Sequence, residues 1–355
     1  MPTSEPGPRP LGLPDDLTWP VRLARNGVGG GPTPAQASGP KWRRSSHGLY
    51  VPADVQVTTE QRIVEAAAAL PTYGGVSGWA ALRWLGGVWF EGLRRGGRER
   101  RPVTLAVADR SIRSQLRHGI ATSEERMDPT ELTAYRGLRV TTPLRSLFFE
   151  MRYAASDTEA VQAADMAAYS DLVSASELRA FIRVNAGWTG MERSRLAASE
   201  MEENAWSPTE VAMRGVWRKE AGLPRPLCNH PVFDRAGNHV GTPDLIDPGS
   251  GVVGEYSGAV HLSGAQRSRD VVREARFRAV GLETVEMLAG DLVDPFSFLA
   301  RLRQAYARAE RQAAFDRRWT LALPSWWIPT FTVEQRRRLT ESQRQRLLRY
   351  RHRAS

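Results

Sequence analysis

The chain has 355 residues, 41% of them hydrophobic, which is enough for two or three domains with packed cores. Its formal net charge of +10 is carried almost wholly by arginine and favours a polyanionic partner, although a GC-rich genome also enriches arginine. Cys228 is the sole cysteine, and neither a signal-peptide pattern nor a run of 18 apolar residues occurs, so we exclude disulfides and a cysteine-based zinc site and expect a soluble, cytoplasmic protein with no membrane attachment.

The first 99 residues divide into two segments. Residues 1–40 are rich in glycine and proline and are predicted to be irregular. Residues 41–99 begin with a basic turn that enters a short strand. Two helices are predicted after that strand, over about Thr59–Leu70 and Ser77–Leu85, the first with a capping box of Thr58 and Gln61.

The segment 41–99 resembles the N-terminal region of AbiEi-type antitoxins. The resemblance is carried by the runs Gly48-Leu49-Tyr50-Val51-Pro52 and Val76-Ser77-Gly78-Trp79-Ala80-Ala81-Leu82. It implies a winged-helix-like α+β region in which Arg43 and Arg44 contact DNA phosphates, which gives affinity but little sequence choice. Residues 12–40, however, hold too many glycines and prolines for a convincing helix-turn-helix, and a solvated basic turn is the alternative for the two arginines.

Residues 100–204 are predicted to form an α+β linker domain. Its strands are expected at Pro102–Val107 and Leu138–Pro143. Three helices are expected after them, at about Leu144–Tyr153, Asp157–Ala168 and Ser174–Asn185. We find no catalytic grouping in this segment, so its expected role is to set the distance between the basic arm and the C-terminal domain.

The segment 205–300 contains a predicted hairpin with two opposed carboxylates. Val240–Ile246 and Val252–Ser257 favour strands, and the five residues between them are turn formers. If residues 248–251 form the loop, Asp244 lies opposite Glu255, at a side-chain separation of roughly 5 Å. Two carboxylates that close repel each other unless a cation lies between them, so the pair predicts a hard-metal site. The alternative is a solvent-facing hairpin with two unrelated acids.

Helices are predicted on both sides of this hairpin. Ser207 as N-cap, Pro208 at the first helical position and Glu210 in the first turn begin a helix that runs to about Ala221. A second helix over Ala265–Val280 carries five arginines and ends at a glycine, and a further strand is expected from Thr284 to Leu288.

Residues 205–300 resemble the PD-(D/E)XK nucleases, and within them the very-short-patch-repair (Vsr)-like branch. The matching residues are Gly241-Thr242-Pro243-Asp244, Gly254-Glu255-Tyr256-Ser257-Gly258 with His261, Arg269-Asp270 with Arg273, and Gly281-Leu282. The resemblance implies a restriction-endonuclease-like αβββαβ core with a mixed sheet, and a Mg²⁺ (or Mn²⁺) ion held by Asp244 and Glu255. Glu210 would assist as a third ligand or serve only as a helix cap, and Arg269 and Arg273 would reach towards DNA phosphate. Asp270 and Arg273, one helical turn apart, could instead pair with each other.

One departure from the family concerns its lysine. The position falls at Ser257, two residues after Glu255 on the same strand face, and the only lysines are Lys41 and Lys219. In the Vsr-like branch a histidine follows shortly after, so His261 could carry a proton or contact the phosphate instead. A structural histidine, and a core that binds DNA without cutting it, remain alternatives.

Residues 301–355 are predicted to be a basic helical tail with three tryptophans. Such a tail could bind nucleic acid by charge and stacking, or it could pack as a charged helix through its leucines and tryptophans. For the whole chain the sequence predicts a Mg²⁺-dependent DNA endonuclease acting in phage defence or DNA repair. The alternatives are a catalytically inactive DNA-binding regulator, of antitoxin or autorepressor type, and an interaction protein of phage defence. DNA is the expected partner, and a homodimer and a toxin or defence-system partner stay open.

Overall fold

The computed structural model describes residues 9–24, 30–71, 73–94, 97–108, 113–258, 264–312 and 317–353. Side chains of residues 264–271 and 352–353 lie outside the description. The chain forms two compact units, Met1–Ala154 with Glu177–Arg195, and Ala155–Ser176 with Leu196–Ser355. Helices and mixed sheets occur together, which confirms the expected mixed α/β class. The division into five segments stays a prediction. Among the described residues, no helix has both the length and the apolar character to cross a membrane.

The first unit contains eight strands and four complete helices among its described residues. In chain order they are β1 (Val21–Arg22), α1 (Pro34–Ala37), β2 (Trp42–Ser46), β3 (Leu49–Pro52), α2 (Thr59–Ala67), β4 (Gly75–Ser77), α3 (Gly78–Trp84), β5 (Val103–Ala106), β6 (Ile120–Ser123), β7 (Leu132–Tyr135), β8 (Leu138–Thr141) and α4 (Pro143–Arg152).

Two sheets organise this unit. β1, β3 and β2 form a small antiparallel sheet, and β6, β5, β4, β8 and β7 form a mixed sheet in that order. The apolar side chains of Val76, Leu105 and Val140 are fully buried in the mixed sheet. Thr58 caps α2 as predicted, but the Gln61 side chain bonds the backbone of Thr18 instead of closing the capping box. The described part of residues 12–40 contains only the four-residue α1 as helix, which agrees with the expectation that no helix-turn-helix forms there.

The second unit is built around a four-stranded sheet. Its elements and the helices shared in sequence with the first unit are α5 (Asp157–Tyr169), α6 (Ala175–Val184), α7 (Met191–Glu200), α8 (Pro208–Gly215), β9 (Leu227–Cys228), β10 (Val232–Asp234), β11 (His239–Gly241), β12 (Leu245–Ile246), β13 (Val252–Ser257), α9 (Gly264–Ala279), β14 (Glu283–Leu288), α10 (Phe296–Arg311), β15 (Trp319–Thr320), α11 (Val333–Arg337) and α12 (Glu341–Leu347). A π-helix, Val216–Glu220, continues α8.

The main sheet of this unit has the strand order β14, β13, β12, β9. β13 pairs parallel with β14, and the other pairs are antiparallel, so the sheet is mixed. The strands of this sheet and the helices that flank it come in the chain order α8, β9, β12, β13, α9, β14, with β10 and β11 of another sheet between β9 and β12. β10, β11 and β15 form a separate three-stranded sheet.

The predicted strand Val240–Ile246 is divided between these two sheets. β11 ends at Gly241 and pairs with β10, whereas β12 begins at Leu245 and pairs with β9 and β13. Pro243 lies in the interruption, and since proline has no backbone N–H, it cannot donate to a central ladder. The single long strand expected here was therefore wrong.

The core beside the main sheet explains the position of α9. Val232, Ile246, Val253 and Leu282 form one cluster with Phe277, which α9 contributes, and all five are buried. The helix ends as predicted at Gly281, whose φ of 87° permits the turn in which the Leu282 N–H donates to the Phe277 carbonyl. Thus α9 returns the chain from β13 to the parallel strand β14.

The C-terminal segment packs through three of its arginines on Asp171, just after α5. Arg336, Arg344 and Arg351 all donate to the Asp171 carboxylate, and Arg336 is 1% exposed. β15 adds a strand next to β10. These three arginines therefore pack against the protein, which is the second of the two alternatives that the sequence left open for the tail.

Candidate active site

The register of the hairpin places Asp244 opposite Glu255. Leu245 pairs with Gly254 and Ile246 with Val253, and the Asp247 N–H donates to the Val252 carbonyl. The next position in this antiparallel register, one residue before Leu245 and one after Gly254, sets Asp244 against Glu255, the pairing that the spacing predicted. Asp247 stabilises the turn, since its carboxylate accepts from the Gly249 N–H and the Ser250 hydroxyl.

Asp244 lies directly before β12 and is held by backbone N–H groups from the two strands beside it. Its Oδ2 accepts the Tyr256 N–H at 2.7 Å, and its carbonyl oxygen accepts the Asn229 N–H at 3.0 Å. The half-buried side chain therefore has a fixed direction beside β13. This rigidity suits a group that must hold a ligand in one geometry.

Glu255 forms an ion pair with a residue of α9. The Arg273 guanidinium donates to Glu255 Oε2 at 2.5 Å, and the Glu255 side chain is 18% exposed. The sequence allowed a pair of Asp270 and Arg273, but the Asp270 side chain lies outside the described residues. A protein cation thus already approaches one member of the carboxylate pair.

Glu210, in the first turn of α8, is buried and takes three hydrogen bonds. Its Oε2 accepts from the Trp206 N–H and from Asn229 Nδ2, and its Oε1 accepts from the Ser207 hydroxyl. Burial, together with the nearby charge of Asp244, raises the pKa of Glu210 to about 8. Near neutral pH the carboxyl is therefore largely protonated, and its contacts are those of a helix cap and a neighbour of Asp244. Its role as a metal ligand stays a prediction.

Asn229 is a positioning residue that the sequence did not single out. It lies just after β9 with a φ of 46°, a left-handed conformation that asparagine tolerates better than most residues. It contacts both acids, through its side chain to Glu210 and its N–H to the Asp244 carbonyl, and its buried Oδ1 has no hydrogen-bond partner among the described residues. Only the preference of asparagine for turns signalled it, and that preference carries no information about the acids.

The helix that carries Glu210 is anchored by a buried ion pair. The guanidinium of Arg214 on α8 lies 2.8 Å from the Asp165 carboxylate on α5, and both side chains are almost fully buried. Arg214 also contacts the sulfur of Cys228 at the end of β9. Since breaking a buried pair is costly, this contact keeps α8 and β9 in register beside the acids.

A groove opens next to the Glu255 and Arg273 pair. It has a volume of about 520 Å³ and runs between β11 and α9. Its walls are formed by His239, Val240, Gly241, Thr242, Val272, Arg273 and Arg276. Arg276 is exposed, so the groove offers a cationic wall to an anionic ligand.

Of the other residues predicted for the site, the structure describes one side chain and leaves two outside its description. Ser257 ends β13, half-buried, on the strand that carries Glu255. His261 lies outside the described residues, and so does the side chain of Arg269. The proposed roles of these two residues therefore stay predictions.

The two N-terminal arginines differ in their contacts. Arg43 forms a two-pronged pair with the nearly buried Glu65, at 2.7 and 2.8 Å. Arg44 is exposed, and its guanidinium contacts the Ser46 carbonyl and the His47 ring. Of the two, Arg44 is the better placed to meet a phosphate.

The oxygen donors of the site fit a divalent cation held by few protein ligands. Among the residues that the structure describes, no three His, Cys, Asp or Glu side chains converge on one metal position. Mg²⁺, however, is commonly held by one or two carboxylates and completes its shell with water and substrate phosphate. Asp244 and Glu255 meet that requirement, with Asn229 Oδ1 as a further buried oxygen close to the acids.

Comparison with known protein families, with curated proteins and with solved structures finds no significant match for this chain.

Proposed function

We propose that this protein is a metal-dependent DNA endonuclease whose second unit is a PD-(D/E)XK-type core. The observation that carries the proposal is the opposition of Asp244 and Glu255 on neighbouring strands, beside a groove with arginines on one wall. The order of the main-sheet strands supports it, because Asp244, directly before β12, and Glu255, on β13, then lie at the second and third strands of that sheet along the chain, as in the family that the sequence resembles.

The roles of the residues follow from their contacts. Asp244 and Glu255 would hold Mg²⁺ or Mn²⁺, which would supply activated water and neutralise charge on the phosphate. Glu210, protonated near neutral pH, limits the negative charge around Asp244, and Asn229 orients both groups. Arg273 and Arg276 would bind the DNA backbone in the groove.

In this proposal Glu255 interacts with both the Arg273 guanidinium and the metal ion. Arg273 donates to Glu255 Oε2, an oxygen through which Glu255 would hold the cation, so guanidinium and cation would share this carboxylate. A guanidinium released from Glu255 would be available to a phosphate, because its planar fork binds phosphate oxygens in a bidentate way.

The test is a cleavage assay in Mg²⁺ and in Mn²⁺ on plasmid, linear, mismatched and single-stranded DNA. Wild type should cut at least one substrate, and Asp244→Asn should abolish cutting. Glu220→Gln, which changes an exposed acid of the same unit, is the matched control and should cut like wild type. Loss of cutting in both variants, or equal cutting by wild type and Asp244→Asn, would refute the assignment of the acids.

A DNA-binding regulator without turnover is the second candidate. Two observations favour it: Ser257 occupies the usual lysine position, and Arg273 already neutralises Glu255. Such a protein would bind DNA but cut none of the four substrates in either metal. Ser257→Lys would then restore the cationic position, and weak cutting by that variant would identify an inactivated nuclease core.

A further inference from the structure

A cluster of aromatic rings lies at one end of the small sheet in the second unit. Trp326 and Trp327, here called the tryptophan pair, have ring centres 5.6 Å apart, and each meets Phe233 edge-on, at 5.9 and 5.1 Å. Phe233 is buried, so the pair rests on the core of the unit. Trp326 is nevertheless 60% exposed, whereas every other described tryptophan is buried or half-buried.

The tryptophan pair is continuous with the arginine-lined groove. His239 forms part of the groove wall, and its ring centre lies 5.2 Å from that of Trp327. Across the groove, Arg276 is close enough that its charge contributes to lowering the pKa of His239, after the larger effect of burial. Moving across this surface, one meets first the indole rings, then the His239 imidazole and then the Arg276 guanidinium. The groove continues to the ion pair of Arg273 and Glu255.

This combination matches the chemistry of unpaired nucleic acid. Bases stack on aromatic side chains whatever their sequence, and arginines follow the phosphate backbone. In duplex DNA the bases are stacked on each other and cannot offer their faces to an exposed ring. Binding to a duplex backbone alone would require the arginines but would not involve stacking on an exposed tryptophan.

We propose that the tryptophan pair and the groove bind single-stranded DNA, with a base stacked on Trp326, and thereby direct the carboxylates to substrates that contain an unpaired segment. The inference rests on the proposed endonuclease function for its substrate. The stacking surface itself is a separate property of the chain that binding measurements detect without any cutting.

The experiment measures binding of labelled single-stranded and duplex DNA of equal length by fluorescence anisotropy, with EDTA present. Wild type should bind the single strand more tightly than the duplex. Trp326→Ala should weaken single-strand binding by about 5- to 150-fold, the range for loss of one stacked base, with little effect on duplex binding. Trp326→Tyr, which keeps a stacking ring, should retain most of the affinity.

The control and a second variant keep the result interpretable. Phe296→Ala removes another exposed aromatic ring of the same unit, 74% exposed on α10, and should bind like wild type. Arg276→Ala should reduce the log–log salt slope for single strands by about 0.7, the value for one lost phosphate contact. Equal or tighter binding of the duplex by wild type, or unchanged single-strand affinity in Trp326→Ala, would overturn the inference. Single-strand preference without cutting in any metal would instead contradict the endonuclease assignment alone.

Discussion

Three acids of the second unit lie close together, and the repulsion between them is reduced in a different way at each. Asp244 accepts a backbone N–H, Glu255 pairs with Arg273, and Glu210 is largely protonated near neutral pH. These compensations explain how the three acids lie close together in the fold. They also identify the Arg273 guanidinium as the protein cation that shares Glu255 with the proposed metal.

The proton on Glu210 gives a pH dependence with a definite sign. Its pKa in the folded protein, about 8, lies above its ordinary value, so the folded chain holds a proton that the unfolded chain releases. The free energy of unfolding therefore falls as the pH rises from the ordinary value through about 8. Glu210→Gln keeps an oxygen for the Trp206 and Asn229 donors and should remove this fall.

Thermal denaturation at a series of pH values between 6.5 and 8.5 checks that expectation. The difference in melting temperature between wild type and Glu210→Gln should change steadily across this range, to the disadvantage of wild type at the higher pH. A constant difference would mean that Glu210 is ionised in the folded protein throughout.

At the level of elements, Gly254 on β13 determines how closely α8 and its π-helical extension approach the sheet. A Cβ atom at this position would lie 2.9 Å from the Trp217 ring, which is fully buried. Gly254→Ala should therefore destabilise the protein by about 1–3 kcal/mol, because the ring has no room to withdraw. Chemical denaturation measures the change.

Gly215→Ala is the matched control for that substitution. Gly215 has helical φ, and a Cβ atom there would meet nothing within 4 Å. It should stabilise the protein by about 0.5–1 kcal/mol, the usual gain over glycine in a helix. A Gly254→Ala variant as stable as wild type would show that α8 is not held against β13 as described.

Local patterns in the sequence predicted α8, β13, α9 and β14 of the second unit, the elements that surround the acids. The cap at Ser207, the glycine at the end of α9 and the turn formers at 247–251 act within a few residues, so they specified the helix start, the helix end and the hairpin register. The break of the strand before β12 was missed, although Pro243 could have signalled it. The nuclease-like core that the resemblance implied stays a prediction, since β10 and β11 interrupt its order of elements between β9 and β12.

Tertiary contacts account for what the sequence could not predict. Arg273 reaches Glu255 across 18 positions, and Asn229 reaches Glu210 across 19. Spacing along one helix or one strand carries no information about such partners, because they depend on how α8 and α9 pack on the sheet. The stacking role of the tail tryptophans was considered from the sequence, but the groove and its contact with Trp327 were missed for the same reason, since β11 and residues 326–327 meet only in the fold.

For the molecule as a whole, the net charge of +10 overstates the number of arginines that could contact DNA phosphates. Several arginines are engaged with carboxylates inside their own unit, as Arg214 is with Asp165, Arg43 with Glu65 and Arg336 with Asp171. The number of phosphates contacted should therefore be far smaller than the number of arginines. The salt dependence of binding reports that number directly.

Arg43 and Arg44 provide a paired test of this distinction on duplex DNA. Arg44→Ala should reduce the log–log salt slope by about 0.9, as expected for one lost phosphate contact, and leave stability unchanged. Arg43→Ala should leave the slope nearly unchanged and lower the melting temperature, because the nearly buried Glu65 loses its partner. The reverse pattern would place Arg43 on the DNA and contradict the division.

The central claim is that Asp244 and Glu255 together bind a divalent cation. Its most direct test is a calorimetric titration of Mn²⁺ and Mg²⁺ into the purified protein, with Asp244→Asn and Glu220→Gln titrated in parallel. We expect one saturable site in wild type and Glu220→Gln, a matching rise in melting temperature with metal, and neither effect in Asp244→Asn. Equal binding by wild type and Asp244→Asn, or no binding by either, would contradict the account.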